Sequence, residues 1–305
     1  MVDTRDPAID ALDAIPLLAA RPRTVEELSG GLTNRNLKVT TPTGAYVVRC
    51  NRSDTRLLGI DRDAENANSR AAERAGAGAP VVDYRPDLGM LVIGYIDGVT
   101  YDNTTFQQPG VVARAAEACR RLHAGPAFGN EFDMFARQAR YLRIMHERGF
   151  ALPPRYEDFT EPFTRMRSAL AVRADPLVPC NNDLLAGNFV DDGDKLWLID
   201  YEYAGNNDAC FELGNISTEC DLDADQLEEL VTSYFGRSIR NKIARTRAQA
   251  IASQYGWSLW GAIQAATSPL DFDFHNWSME RYERAVAAFT SDSFTTLLEE
   301  VQRDD

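Results

Sequence analysis

Asp183 and Asn188 stand five residues apart in NDLLAGN, and Asp200 follows Asn188 by twelve, directly after the apolar run Leu196-Trp197-Leu198-Ile199. Phosphoryl transfer asks little covalent chemistry of a protein. It needs a carboxylate to orient an attacking hydroxyl, and oxygen ligands to hold Mg²⁺ against a triphosphate. Asp183 suits the first task. Asn188 and Asp200 suit the second, because Mg²⁺ takes hard oxygen donors and few of them from protein. The Asp183–Asn188 spacing by itself is common in polar turns; the apolar strand that ends in Asp200 is what turns the reading toward chemistry.

Other chemistries find less support. His123, His146 and His275 are isolated, without the spacing of a zinc site, and read as surface or capping residues. There is no G-x-S-x-G elbow. Five cysteines form an odd, scattered set with no C-x-x-C pair, which argues against a disulfide framework and for a reducing compartment.

The elements that must position these residues follow from composition and period. The 305 residues are 44% apolar and 26% charged, ordinary usage for a globular chain of one large domain or two lobes. Lys and Arg number 32 against 46 Asp and Glu, a net charge of −14 that disfavours a nucleic-acid partner. The first sixteen residues carry acids where a leader peptide would carry positive charge, and no run reaches a membrane span. The expectation is a cytoplasmic protein with a small-molecule substrate and no membrane insertion.

NLKVTTPTGAYVVRC alternates about Thr43-Gly44 as a hairpin does, and residues 61–75 read as a helix. VVDYRPDLGMLVIGYIDG returns to strand character. Beyond Gly98 the pattern is helical: VVARAAEACRRLHAG, then about 132–148, 157–173, 224–235, 240–268 and 277–301. Residues 176–216 interrupt it with short apolar runs among Asn, Asp and Gly. The expected architecture is α+β in two lobes, a β-rich one over 1–95 and a mainly helical one over 96–305.

Four stretches in chain order resemble the choline/ethanolamine kinases, within the aminoglycoside-phosphotransferase and protein-kinase-like fold. SGGLTNRN (29–36) resembles the glycine-rich turn over the nucleotide phosphates, and NDLLAGN (182–188) the catalytic loop. IDYEYAGNNDACFELGN (199–215) resembles the metal-binding stretch, and WSLWGAIQAATSPLDFDF (257–274) the aromatic-rich C-terminal helix and turn. The last two are the more specific to this family.

The resemblance implies ATP and Mg²⁺ as cofactors, Asp183 as catalytic base, and Asn188 and Asp200 as metal ligands with Glu202 beside them. It implies a nucleotide site of Ser29, Gly30, Gly31, Thr33, Asn34 and the hinge residues Tyr95 and Ile96. Arg49 would contact the phosphates, with Glu65 as its helix partner and Glu73 as the fallback. Tyr203, Trp257, Trp260, Phe272 and Trp277 would surround choline, with Glu219 as counter-charge; Phe274 reads as core. Aromatic faces suit a quaternary ammonium, which has no hydrogen bond to donate. Asn181 departs from the family, which usually has His there; Asn can still donate and accept. The acceptor stays open between choline, ethanolamine and another amine such as an aminoglycoside. A non-catalytic amine-binding homologue and a homodimer also stay open.

Overall fold

The computed structural model describes residues 6–51 and 57–304. Residues 1–5, where the leader reading begins, lie outside the described residues. Strands β1 (Thr24–Leu28), β2 (Asn34–Thr41), β3 (Gly44–Asn51), β4 (Val81–Arg85) and β5 (Met90–Gly94) form one antiparallel sheet in the order β1-β2-β3-β5-β4. The β2–β3 hairpin pairs Thr41 with Gly44, as the alternation predicted. Two short helices, α1 (Pro7–Ala11) and α2 (Pro16–Ala19), cover one face, where Leu12, Ile15 and Leu18 pack on Leu37, Val48 and Val92.

Strand periodicity places Arg49. Val48 and Cys50 point into that small core, so Val47 and Arg49 point to the opposite face, toward the helical part. Helix α3 (Arg62–Arg74) lies on this side, its start capped by Asp61, whose carboxylate accepts from Asp63 and Ala64 N–H groups.

After the two-residue strand β6 (Val99–Thr100), helices α4 (Asn103–Phe106), α5 (Val111–His123), α6 (Met134–Arg148) and α7 (Thr160–Val172) follow. Strands β7 (Val178–Cys180), β8 (Phe189–Asp191), β9 (Leu196–Leu198) and β10 (Gly205–Asn207) build two small sheets, β10-β7 and β6-β8-β9. Then come α8 (Ala209–Glu219), α9 (Ala224–Phe235), α10 (Arg240–Thr267), α11 (Phe274–Phe289) and α12 (Phe294–Val301). The 28-residue α10 has no polar face along most of its length because α6, α8, α11 and α12 surround it.

The structure corrects three expectations. Helix α8 begins inside the stretch read as a polar interruption and runs past its end, started by Asp208, whose side chain accepts from Cys210 N–H. The single helix expected over 277–301 is two, α11 and α12. They part at Thr290–Ser293, where Thr290 and Ser291 hydroxyls turn back onto the carbonyls of Val286 and Ala288. His123 is neither surface nor cap: it is 8% exposed and its Nδ1 lies 2.7 Å from the Tyr234 hydroxyl. All five cysteines are buried and unpaired. Among the described residues no helix is long and apolar enough to cross a membrane.

Candidate active site

Two adjoining cavities lie between the five-stranded sheet and the helices. One, of about 480 Å³, is bordered by Ser29, Gly30, Gly31, Val47, Arg49, Tyr95, Ile96, Asn188 and Asp200. The other, of about 90 Å³, is bordered by Asp183, Glu219, Tyr203 and the tryptophans 257, 260 and 277. They share Gly30, Gly31, Leu185, Asn188 and Asp200, so a group passed between them crosses that boundary.

The loop carrying Asp183 is held by hydrogen bonds to its backbone. Glu212 of α8, fully buried, accepts from Asn181 N–H (2.9 Å) and Asn182 N–H (2.6 Å), and its Oε1 lies 3.3 Å from His123 Nε2. Asn215 accepts from Leu184 N–H at 2.8 Å. Asn182 has a positive φ of 69° and its side chain donates to the carbonyls of Cys180, Tyr203 and Gly205. That anchoring holds a backbone conformation non-glycine residues rarely adopt.

Asn181, where the family pattern has His, binds both candidate catalytic segments. Its Nδ2 donates to the carbonyls of Ile199 (3.0 Å) and Asp200 (2.9 Å), and its Oδ1 accepts from Asp183 N–H (3.1 Å). Asn188 Nδ2 donates to the Asp183 carbonyl at 2.7 Å, which commits its nitrogen and leaves its oxygen available at the cavity. Burial drives the Asp183 carboxyl well above the ordinary range, and the charges of Asp200, Glu202 and Glu219 push the same way.

The donor set at the boundary fits a hard cation. Asp200 Oδ1 lies 2.8 Å from Arg49 Nη2, a charge contact without hydrogen-bond alignment, so this buried oxygen has no aligned donor. With the Asn188 amide oxygen it offers two hard ligands, in keeping with Mg²⁺. Arg49 Nε and Nη2 are likewise buried without an aligned acceptor, as a phosphate contact requires. Arg49 Nε is 3.3 Å from Glu65 Oε1, whereas Glu73 accepts from Val81 N–H.

Glu202 is differently engaged. Its oxygens accept from the Thr33 hydroxyl (2.6 Å), Asn34 Nδ2 (2.8 Å) and Arg62 Nη1 (3.2 Å). Burial first, then repulsion from Asp200, push its carboxyl up to about 7. The structure thus gives Glu202 protein partners on both oxygens, in place of the open oxygen a direct metal ligand presents. Gly31 must be glycine here: a Cβ would stand 2.5 Å from the Asn34 carbonyl oxygen.

The aromatic residues divide. Trp260 Nε1 donates to the Tyr203 hydroxyl at 2.8 Å, and the Trp260 and Trp277 rings lie 5.1 Å apart. Gly261 admits this packing, since a Cβ would come 2.7 Å from the Trp277 ring. Trp257 meets Tyr203 edge-on at 4.9 Å. Phe272 stands apart: 41% exposed on the turn before α11, it does not border the cavity, because Phe274 takes the inward place against Trp260. Glu219 borders the cavity but is paired. Arg281 donates to it from Nε (3.1 Å) and Nη2 while lying 3.4 Å over the Trp277 ring. The expected counter-charge is therefore neutralised within the protein.

Sequence reasoning missed Arg62 and Arg281 as parts of this site and gave no individual role to Glu212 and Asn215, which fall inside the 199–215 stretch. Arg62 joins Glu65 (2.6 Å), Glu202 and Asn34 Oδ1 (2.8 Å). The Arg62–Glu65 pair has ordinary i,i+3 helix spacing, but the bonds of Arg62 to Glu202 and Asn34 and of Arg281 to Glu219 join elements distant in sequence, which no spacing signals.

Residues 24–249 match the model of the phosphotransferase enzyme family. A probable ethanolamine kinase of Arabidopsis thaliana is 26% identical over 297 residues, 85% of this chain and 77% of that one. A choline/ethanolamine kinase family protein of Mesorhizobium loti superposes with a TM-score of 0.86 at 34% identity, over 97% of this chain and 98% of that one. The choline kinase LicA of Streptococcus pneumoniae does so with a TM-score of 0.75 at 25% identity, over 87% and 92%.

Proposed function

The chain belongs to the phosphotransferase enzyme family, in its choline/ethanolamine kinase branch, and from that premise we propose that it transfers the γ-phosphoryl group of ATP to the hydroxyl of choline. Phosphotransfer to the alcohol of a small amino alcohol is the activity of that branch. The observation that carries the choice of choline is the small cavity of about 90 Å³, walled by three tryptophans and Tyr203 and bordered by Asp183. Each ring face offers a cation about 0.5–2 kcal/mol. With Glu219 already paired to Arg281, the rings supply most of the selection for a methylated ammonium.

In this reading Asp183 receives the proton of the substrate hydroxyl and fixes its direction of attack. Arg49 holds phosphate oxygens in the larger cavity, and Tyr95 and Ile96 border the place of the base. Ser29, Gly30 and Gly31 of the glycine turn cover the phosphates, whereas Thr33 and Asn34, expected there too, are bound to Glu202 and do not border that cavity. Asn188 and Asp200 would hold Mg²⁺, which when bound would supply the charge neutralisation that a transferring phosphoryl group needs. The same reading divides the chain into lobes at 95/96, where the sheet has just ended. The retained Asp183, Asn188 and Asp200 favour an enzyme over an amine sensor.

Ethanolamine is the second reading, favoured by the Arabidopsis relative. ATP consumption over choline, ethanolamine, their N-methyl intermediates and an aminoglycoside tests the choice. We expect kcat/KM to rise with each N-methyl group. A fall along that series assigns ethanolamine instead, and no turnover of any amine defeats the enzyme reading.

A further inference from the structure

The glycine-rich turn has two working faces. Gly30 and Gly31 border both cavities, whereas Leu32 and Thr33 border only the small one. The cover of the acceptor cavity therefore comes from the sheet lobe, and its walls come from the helices. Leu32 is partly buried against the large helical core, and its carbonyl accepts from Gln264 Nε2 of α10 at 3.4 Å. Next to it, Thr33 and Asn34 are buried and tied to Glu202, and Arg62 closes the ring through Asn34 Oδ1. These bonds hold the backbone at Leu32 and the two residues after it in place over the cavity.

We propose that Leu32 sets the upper size of the ammonium head that the acceptor cavity admits; this rests on the reading of that cavity as the amine site. Two of the walls are braced by neighbours. Trp260 is fastened to Tyr203, and Trp277 lies between Trp260 and Arg281. Leu32 is the aliphatic side chain over this cavity alone, since Leu185 borders both. Shortening it enlarges the cavity without altering its charge, so it changes selection by size and not selection for a cation.

The test compares choline with its N,N,N-triethyl counterpart in wild-type protein, Leu32→Val and Leu32→Ala, reading kcat/KM for both amines and KM for ATP. The triethyl-to-choline ratio should rise roughly tenfold in Leu32→Ala, the usual yield of a hydrophobic wall, and less in Leu32→Val. The ATP KM should stay near its wild-type value. Calorimetric binding of the two amines without nucleotide should show the same shift in affinity ratio, independently of turnover. A flat ratio in either folded variant, by kinetics or by binding, overturns the proposal. Wild-type protein that neither binds nor phosphorylates choline or ethanolamine defeats the amine-site reading and Leu32 with it. Wild-type activity with a flat ratio defeats Leu32 alone.

Discussion

The Asn181 side chain donates to the carbonyl of Asp200 at 2.9 Å, across nineteen residues of sequence. Asp200 itself has a φ of 65°, so a residue in a sparsely populated conformation is held by a side chain of the opposite segment. Asn181 also accepts from Asp183 N–H, and one amide thereby sets the distance between the candidate base and the candidate metal ligand.

If Asn181 acts only through these bonds, Asn181→Ala should lower kcat and leave KM for the amine nearly unchanged. It is fully buried and does not border either cavity. Steady-state kinetics separate the two parameters. A large, selective rise in amine KM would show that the loop's position also shapes the amine site.

Asp183→Asn should cut kcat by about 10²–10⁴-fold, the usual share of a positioned base, while nucleotide affinity persists. In the wild type, kcat/KM should rise with pH along an acid limb lying above the ordinary carboxylate range, because burial raises this carboxyl. A carboxyl raised in the folded state binds protons more tightly there than in the unfolded chain. Melting temperature without ligands should therefore fall as pH rises from the ordinary carboxylate range through the raised value. Asp183→Asn should flatten that dependence, and pH-resolved melting curves check it.

Trp260→Ala and Trp277→Ala should each cost choline about 0.5–2 kcal/mol. That is roughly a 2- to 30-fold loss of kcat/KM. Ethanolamine should lose less, because its primary ammonium can hydrogen-bond to carboxylates and water. The choline-to-ethanolamine ratio should fall in both variants. An unchanged ratio in a destabilised protein would assign the rings to packing alone.

Glu219→Gln tests whether this carboxylate serves the substrate or the fold. Its side chain is 5% exposed and that of Arg281 13%. Breaking a buried pair on one side costs on the order of 3–5 kcal/mol. We expect a clear drop in melting temperature and a small change in choline KM. A stable variant with a large KM increase would restore Glu219 as the counter-charge.

Much of the candidate site's lining was legible in the chain because phosphoryl-transfer chemistry would restrict residue type as well as place. Asp183, Asn188 and Asp200 border the cavities where a loop and the end of an apolar strand must put them. Arg49 and Glu65 came from the family resemblance, and strand alternation and the register of α3 are what bring the two together in the fold. Local periodicity, set by 2.0- and 3.6-residue repeats, reaches that far. It also gave the hairpin and most helices, though it ran α11 and α12 together, since their break depends on hydroxyls that an apolar pattern does not weigh.

Tertiary structure alone decided partners. Whether Glu219 faces a substrate or Arg281, whether Glu202 meets a metal or Thr33 and Asn34, and which of Phe272 and Phe274 turns inward depend on contacts between segments far apart in sequence. A carboxylate's free energy is set by which charges and donors stand within a few ångströms of it, and burial magnifies each of them. The sequence names the groups capable of chemistry; the packing of α8 and α11 on α10, and of the glycine turn over the cavity between them, determines which of them are left free to do it.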